Sequence, residues 1–162
     1  MYDAAPTILV ADDELFNVDI LVEYLEDTGC EVETAVDGQS AWELLEAKPE
    51  RFDVVILDRM MPRLNGIQVL ERMQAHPVLK SLPVILQTAL AAKAEILEGL
   101  QAGACYHLTK PFDENMLLSV LSTAVEDRQR YLQALEDRDL ASRTFGLMHE
   151  AAFTFSSLHS AR

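Results

Sequence analysis

Hydrophobic residues along the chain follow two alternating periodicities. Short apolar runs such as TILVA (7–11) and VVIL (54–57) have no polar interruption, and the stretches between such runs carry apolar residues at helical spacing. Val18, Leu21, Val22 and Leu25 fall at i, i+3, i+4 and i+7, one face of an amphipathic helix, and Gly29 marks its end. EVETAV (31–36) alternates polar and apolar like an edge strand; Asp37-Gly38 then turns into a helix carrying Ala41, Leu44 and Leu45. The third strand is 53–57, and Asn65-Gly66 opens a third helix with Ile67, Val69, Leu70 and Met73. LPVILQT (82–88) reads as strand four. An Ala-rich helix over 91–102, with Ile96, Leu97 and Leu100, is stopped by Gly103. ACYHLT (104–109) is the fifth strand, broken by Pro111, and a last helix starts near Asp113, a good N-cap, with Leu117, Val120, Leu121 and Ala124 on one face.

Five strands alternating with five helices predict an α/β fold, a parallel sheet covered on both faces. Right-handed crossovers leave few topologies, and the flavodoxin-like, doubly wound order 2-1-3-4-5 is the economical one. The last helix is expected to outrun the domain. Leu118, Leu121, Val125, Leu132 and Leu135 fall on a 3-4 seam, interrupted by Arg128 and followed by Asp139, which is short for an independent coiled coil. Gly146 breaks this pattern, and EAAFTFSSLHSAR (150–162) reads as the start of another element. The expected organisation is a domain over 1–126 and a helical extension or linker over 127–162 that leads to an effector domain absent from this chain.

Composition narrows the field. The chain has 162 residues, 49% hydrophobic and 25% charged, enough to bury one core. No apolar run approaches the ~20 residues needed to span a bilayer, and the start MYDAAPTILVADDE has no basic region, so no membrane association is expected and the cytoplasm is the expected compartment. The net charge of −14 argues against direct nucleic-acid binding, which needs a basic face. Cys30 and Cys105 lack metal-ligand spacing and, in the order 2-1-3-4-5, lie on opposite edge strands, too far apart to pair. His76, His107, His149 and His159 are scattered and offer no zinc pattern.

The residues at the strand ends change the picture most. Strand one ends in Asp12 and Asp13, strand three in Asp58, strand four in Thr88 and strand five in Lys110. In the expected order, strands one and three are neighbours near the switch point, where such sheets bind ligands outside their carboxyl ends. Two unit charges about 4 Å apart repel by roughly 4 kcal/mol at an effective dielectric near 20. A fold that gathers three carboxylates there calls for a cation, and oxygen-only ligands suit Mg²⁺. A lysine and a hydroxyl opposite the metal suit a phosphoryl group, which a neutralised Asp58 could accept. Each residue alone reads equally well as a helix cap or a turn; the five together on one edge do not.

The motifs ILVADDE, VVILDRMMPRLNG, VILQTA and LTKPF, in this order, resemble those of the receiver domain of bacterial two-component response regulators, over roughly residues 6–126. Asp13 and Asp58 lie 45 residues apart, Asp58 and Thr88 30, and Thr88 and Lys110 22, which fits the family. The resemblance implies that Asp58 is phosphorylated by a sensor histidine kinase or phosphotransfer protein. It implies that Asp13, Asp58 and the Met60 backbone carbonyl hold Mg²⁺, with Asp12 acting through water, and that Thr88 and Lys110 bind the phosphoryl oxygens. A cis Lys110–Pro111 bond and a small residue at Ala89 belong to the same pattern. The family's switch pairs the hydroxyl residue, here Thr88, with an aromatic three residues before the lysine. That position is His107, and Tyr106, one residue earlier, points to the opposite face of its strand. A histidine switch would make activation respond to pH near neutrality; the alternative is a half-exposed strand histidine.

Signalling by conformational change, with homodimerisation through the last helix, is the function this implies. A metal-dependent phosphatase with an aspartate nucleophile commonly has a second Asp two residues on, where this chain has Met60. A module that no longer takes phosphate is disfavoured by the intact set Asp12, Asp13, Asp58, Thr88 and Lys110. FTFSSLHSA (153–161) faintly resembles the opening strand and helix of histidine-kinase-like ATPase domains, the expected kind of effector past Arg162.

Overall fold

The computed structural model describes residues 4–89, 93–104 and 106–159, with side chains described through residue 148. Five strands, β1 (Thr7–Ala11), β2 (Glu31–Ala35), β3 (Val54–Asp58), β4 (Val84–Thr88) and β5 (Tyr106–Thr109), form one sheet in the order β2-β1-β3-β4-β5. Every adjacent pair is parallel. The helices are α1 (Leu15–Glu26), α2 (Gly38–Ala47), α3 (Gly66–Gln74), α4 (Lys93–Ala102) and α5 (Glu114–His159), with a short 3-10 turn at Leu79–Ser81. The fold class and strand order are those expected from the sequence.

Side chains alternate across the strands, so one sheet feeds two cores. Leu9, Val55, Leu57 and Leu86 face Ala41 and Leu45 of α2 and Val69, Leu70 and Met73 of α3. Ile8, Val10, Ile56 and Ile85 face Leu21 and Leu25 of α1 and Leu117, Leu121, Ala124 and Val125 of α5. Burial on both faces is why β3 and β4 open as the apolar runs VVIL and VIL, whereas β2 carries exposed glutamate on its free edge. Helix starts are capped as their sequences suggest. Asp37 accepts from the Ser40 N–H at 2.6 Å, Asp113 from the Met116 N–H at 2.8 Å, and Asn65 and Gln68 form a reciprocal capping box.

The structure corrects the reading of the last helix. α5 runs without a break through Gly146 to His159, so residues 150–159 continue a helix and do not open a strand. A single glycine inside a helix costs about 1 kcal/mol, too little to stop one flanked by good helix formers. The chain divides into two compact units, Met1–Arg128 and Gln129–Arg162. The five-leucine-type seam is likewise not one stripe. Leu121 and Val125 are buried in the first unit's core, while Leu132 and Leu135 in the second are 38% and 39% exposed. Core face and coiled-coil seam share the same spacing, and the sheet takes the first part. On α4, Leu97 and Leu100 are exposed and only Gly99 is buried, against Leu86. Cys30 is buried; Cys105 lies outside the described residues, and so does its expected lack of a bridge.

Two glycines of α2 and α5 give opposite expectations. A Cβ at Gly38 would stand 1.7 Å from the Leu64 carbonyl oxygen, a backbone atom, whereas one at Gly146 would meet nothing. Gly38→Ala should lower the urea unfolding midpoint by the equivalent of about 3 kcal/mol or more. Gly146→Ala should raise helical stability by up to about 1 kcal/mol, read as a higher thermal midpoint of the far-ultraviolet helix signal.

Candidate functional site

The register of β1 on β3, with Ala11 opposite Leu57, sets the next residues of both strands, Asp12 and Asp58, side by side at the sheet's carboxyl edge. Asp12 and Asp58 are buried and Asp13 is exposed. One carboxylate oxygen from each of the three lies within 4.8 Å of the others. Lys110 enters from beyond β5, its backbone N–H bonded to the Thr88 carbonyl at 2.7 Å and its peptide bond to Pro111 cis. Its Nζ stands 3.3 Å from Asp12 Oδ2 and 3.4 Å from Asp58 Oδ2. Thr88 ends β4, buried, and its hydroxyl has no hydrogen-bond partner among the described residues. The edge therefore gathers Asp12, Asp13, Asp58, Thr88 and Lys110 as the sequence suggested.

The loop after Asp58 is tightly folded. Arg59 N–H bonds the Gln87 carbonyl at 3.0 Å, and Gly66 N–H bonds the Arg59 carbonyl at 2.9 Å. Any Cβ at Gly66 would fall 2.4 Å from the Asp58 carbonyl oxygen, so only glycine admits this approach. Met60 lies on this loop with its side chain 66% exposed.

Electrostatics make Asp58 the unusual group. Burial, and next the charge of Asp12, push its pKa from 3.8 up to about 7, against the opposing pull of Lys110. Burial works to lower the Lys110 pKa, but Asp58 and Asp12 together outweigh it and hold the lysine above its ordinary value. One ammonium thus leaves the carboxylate cluster undercompensated. An all-oxygen donor set with excess negative charge fits a hard divalent cation such as Mg²⁺.

His107, the expected switch residue, pairs with Leu86, two residues before Thr88, so it lies on Thr88's face of the sheet and is exposed. Tyr106 is half-buried against the opposite core with Ile85 and Leu108. Three residues of the site were not singled out from the sequence. Asn17 of α1 donates through Nδ2 to Asp12 Oδ2 and, at 3.1 Å, to Gln87 Oε1. Gln87 is fully buried and Nε2 has no partner among the described residues; its signal was a lone amide in the apolar run VILQT. Arg59 reaches α4, with Nη2 2.7 Å from Glu98 and Nη1 3.5 Å from Glu95, a pairing across 39 residues that no local pattern announces.

The model of the response regulator receiver domain matches residues 8–122. The chain belongs to this family. Across 151 residues, 93% of this chain, the receiver is 34% identical to the response regulator PleD of Caulobacter vibrioides, of which it spans 33%. The receiver domain of the Francisella response regulator 1452 is 31% identical, with a TM-score of 0.69 over 75% of this chain and 97% of that one. The receiver domain of the sensor histidine kinase PA1611 of Pseudomonas aeruginosa is 28% identical, with a TM-score of 0.69 over 76% of this chain and 99% of that one. That structure holds a magnesium ion in its active-site cleft. Of the receiver described here, no helix among the described residues is long and apolar enough to cross a membrane.

The raised pKa of Asp58 has a consequence for stability. Because the fold holds this proton more tightly than the unfolded chain does, the group favours folding below about pH 4 and that contribution is lost as pH rises toward 7. Without divalent cations, wild type should therefore lose stability relative to Asp58→Asn between about pH 4 and 7. Urea midpoints of the two proteins across that range check it; parallel profiles would contradict a buried, ionisable Asp58.

Proposed function

We propose that this receiver accepts a phosphoryl group on Asp58 from a sensor histidine kinase or a phosphotransfer protein and signals by the change of shape that follows. The observation that carries the reading is a buried carboxylate that resists ionisation, set beside a lysine 3.4 Å away and, at the next strand end, a hydroxyl with no partner among the described residues. Asp12, Asp13, Asp58 and the Met60 backbone carbonyl would hold Mg²⁺, Asp12 through water. Bound there, the cation offsets carboxylate charge and the charge of the phosphoryl oxygens.

In this reading, an Asp58 carboxylate oxygen attacks phosphorus in line as the bond from phosphorus to the donor imidazole nitrogen breaks. An acyl phosphate forms, and the imidazole leaves with the electron pair. Lys110 brings its charge to the incoming phosphoryl oxygens and Thr88 donates a hydrogen bond, which satisfies a buried hydroxyl that otherwise lacks one. Thr88 and His107, on one face of the sheet, form the switch pair. The domain is a phosphoacceptor that turns over no separate substrate.

Residues 1–126 form the receiver in this reading, and 127–162 a helical extension toward an effector segment, placed in the cytoplasm. Leu132 and Leu135, with Leu140 and Leu147 also exposed, offer a surface for a weak homodimer. A net charge of −14 supports partners other than nucleic acid.

Acetyl phosphate with Mg²⁺ should add one phosphoryl group to wild type, seen as an intact-mass increase, and none to Asp58→Asn. An asparagine variant that labels equally would remove Asp58 from the acceptor role. Sedimentation with a beryllofluoride phosphoryl mimic should show dimer in the full chain and monomer after deletion of 127–162. Monomers throughout would leave the extension without that role.

A further inference from the structure

Gln87 is an expensive residue for its place. It lies in β4 opposite Asp58 and Leu108, fully buried, in a strand otherwise apolar up to Thr88. A buried amide N–H left unpaired loses the hydrogen bond it had to water, and Gln87 Nε2 has no partner among the described residues. Its Oε1 has one described partner, Asn17 Nδ2, at 3.1 Å.

That contact orients a second amide. An asparagine nitrogen carries two protons, and Asn17 directs Nδ2 to both Gln87 Oε1 and Asp12 Oδ2. The Asp12 carboxylate and the Gln87 amide oxygen both only accept, so together they fix the nitrogen end of the Asn17 amide toward the cluster. Turned over, the amide would set a lone pair against the Asp12 carboxylate. Asp12 Oδ1 is already fixed by the Glu14 N–H at 2.9 Å, and Oδ2 is shared by Asn17 and Lys110. The orientation of Asp12 toward the cluster thus depends on a chain of three side chains drawn from β1, α1 and β4.

We propose that Gln87 is a positioning residue that acts through Asn17 to hold Asp12 for the divalent cation, and so sets the Mg²⁺ affinity of the site. The proposal rests on the phosphoacceptor reading above. Groups that orient a metal-binding carboxylate typically contribute about 10- to 100-fold in metal affinity.

Calorimetric Mg²⁺ titration of wild type, Gln87→Met, Asn17→Ala and the double variant tests it. Methionine keeps an unbranched chain of similar size and removes both amide functions. Gln87→Met should weaken Mg²⁺ binding about tenfold and Asn17→Ala at least as much, with the double variant no weaker than Asn17→Ala alone, because the two act in series. Urea unfolding in chelator should show Gln87→Met at least as stable as wild type, which a residue kept for the fold would not be. Mg²⁺ affinity unchanged by Gln87→Met, or losses that multiply in the double variant, would overturn the proposal. Should Gln87→Met not fold, Gln87→Leu, which likewise removes both amide functions, decides by the same criterion. Acetyl phosphate labelling of wild type separates the two readings. Wild type that labels and binds Mg²⁺ beside an unaffected Gln87→Met sinks only the relay. Wild type that neither labels nor binds sinks both.

Discussion

Asp12 and Asp58 repel each other, and the fold keeps them together. Their proximity follows directly from β1 lying beside β3 in parallel register, so the strand order that buries the core also concentrates negative charge at one edge. The neighbouring parts can be understood as answers to that charge. Lys110 is brought over by the β5–α5 connection, the Glu14 N–H and Asn17 amide bind Asp12, and the raised pKa of Asp58 is the charge that remains unanswered. A site built this way is at rest only when something cationic or protonated occupies it. Accepting a phosphoryl group with a metal is chemistry that such an imbalance favours, since charge already present in the ground state is compensated along the way.

The chemistry sits on rigid elements and is enclosed by tight ones. β3 and β4 are buried over their whole length, which leaves Asp58 and Thr88 little freedom to drift. The loop behind Asp58 is fixed through backbone hydrogen bonds and the close approach of Gly66.

Strands buried on both faces open as runs of branched apolar residues and close on polar ones, which makes the sheet and its five edge residues legible in the sequence. What escaped was pairing at long range between ordinary residues. Asn17 meets Gln87 across 70 positions, and Arg59 meets Glu98 across 39; such contacts acquire meaning only once the strands are ordered. The reading of Gly146 failed for a different reason. A local breaker was weighed without the helix formers on either side, and α5 carries on through it. Leu121 and Val125 show the third kind of limit, since the spacing that fills a domain core is the spacing that zips two helices.

α4 is attached differently from its neighbours. Among its residues only Gly99 is buried, while Arg59, the residue next to Asp58, grips Glu95 and Glu98 from outside. Adhesion by burial is not screened by dissolved ions, whereas partly exposed charge pairs are. The placement of this helix is therefore tuned by the ionic composition of its surroundings in a way that α2 and α3 are not. One residue from Asp58, the receiver thus carries a charged joint that dissolved ions can loosen.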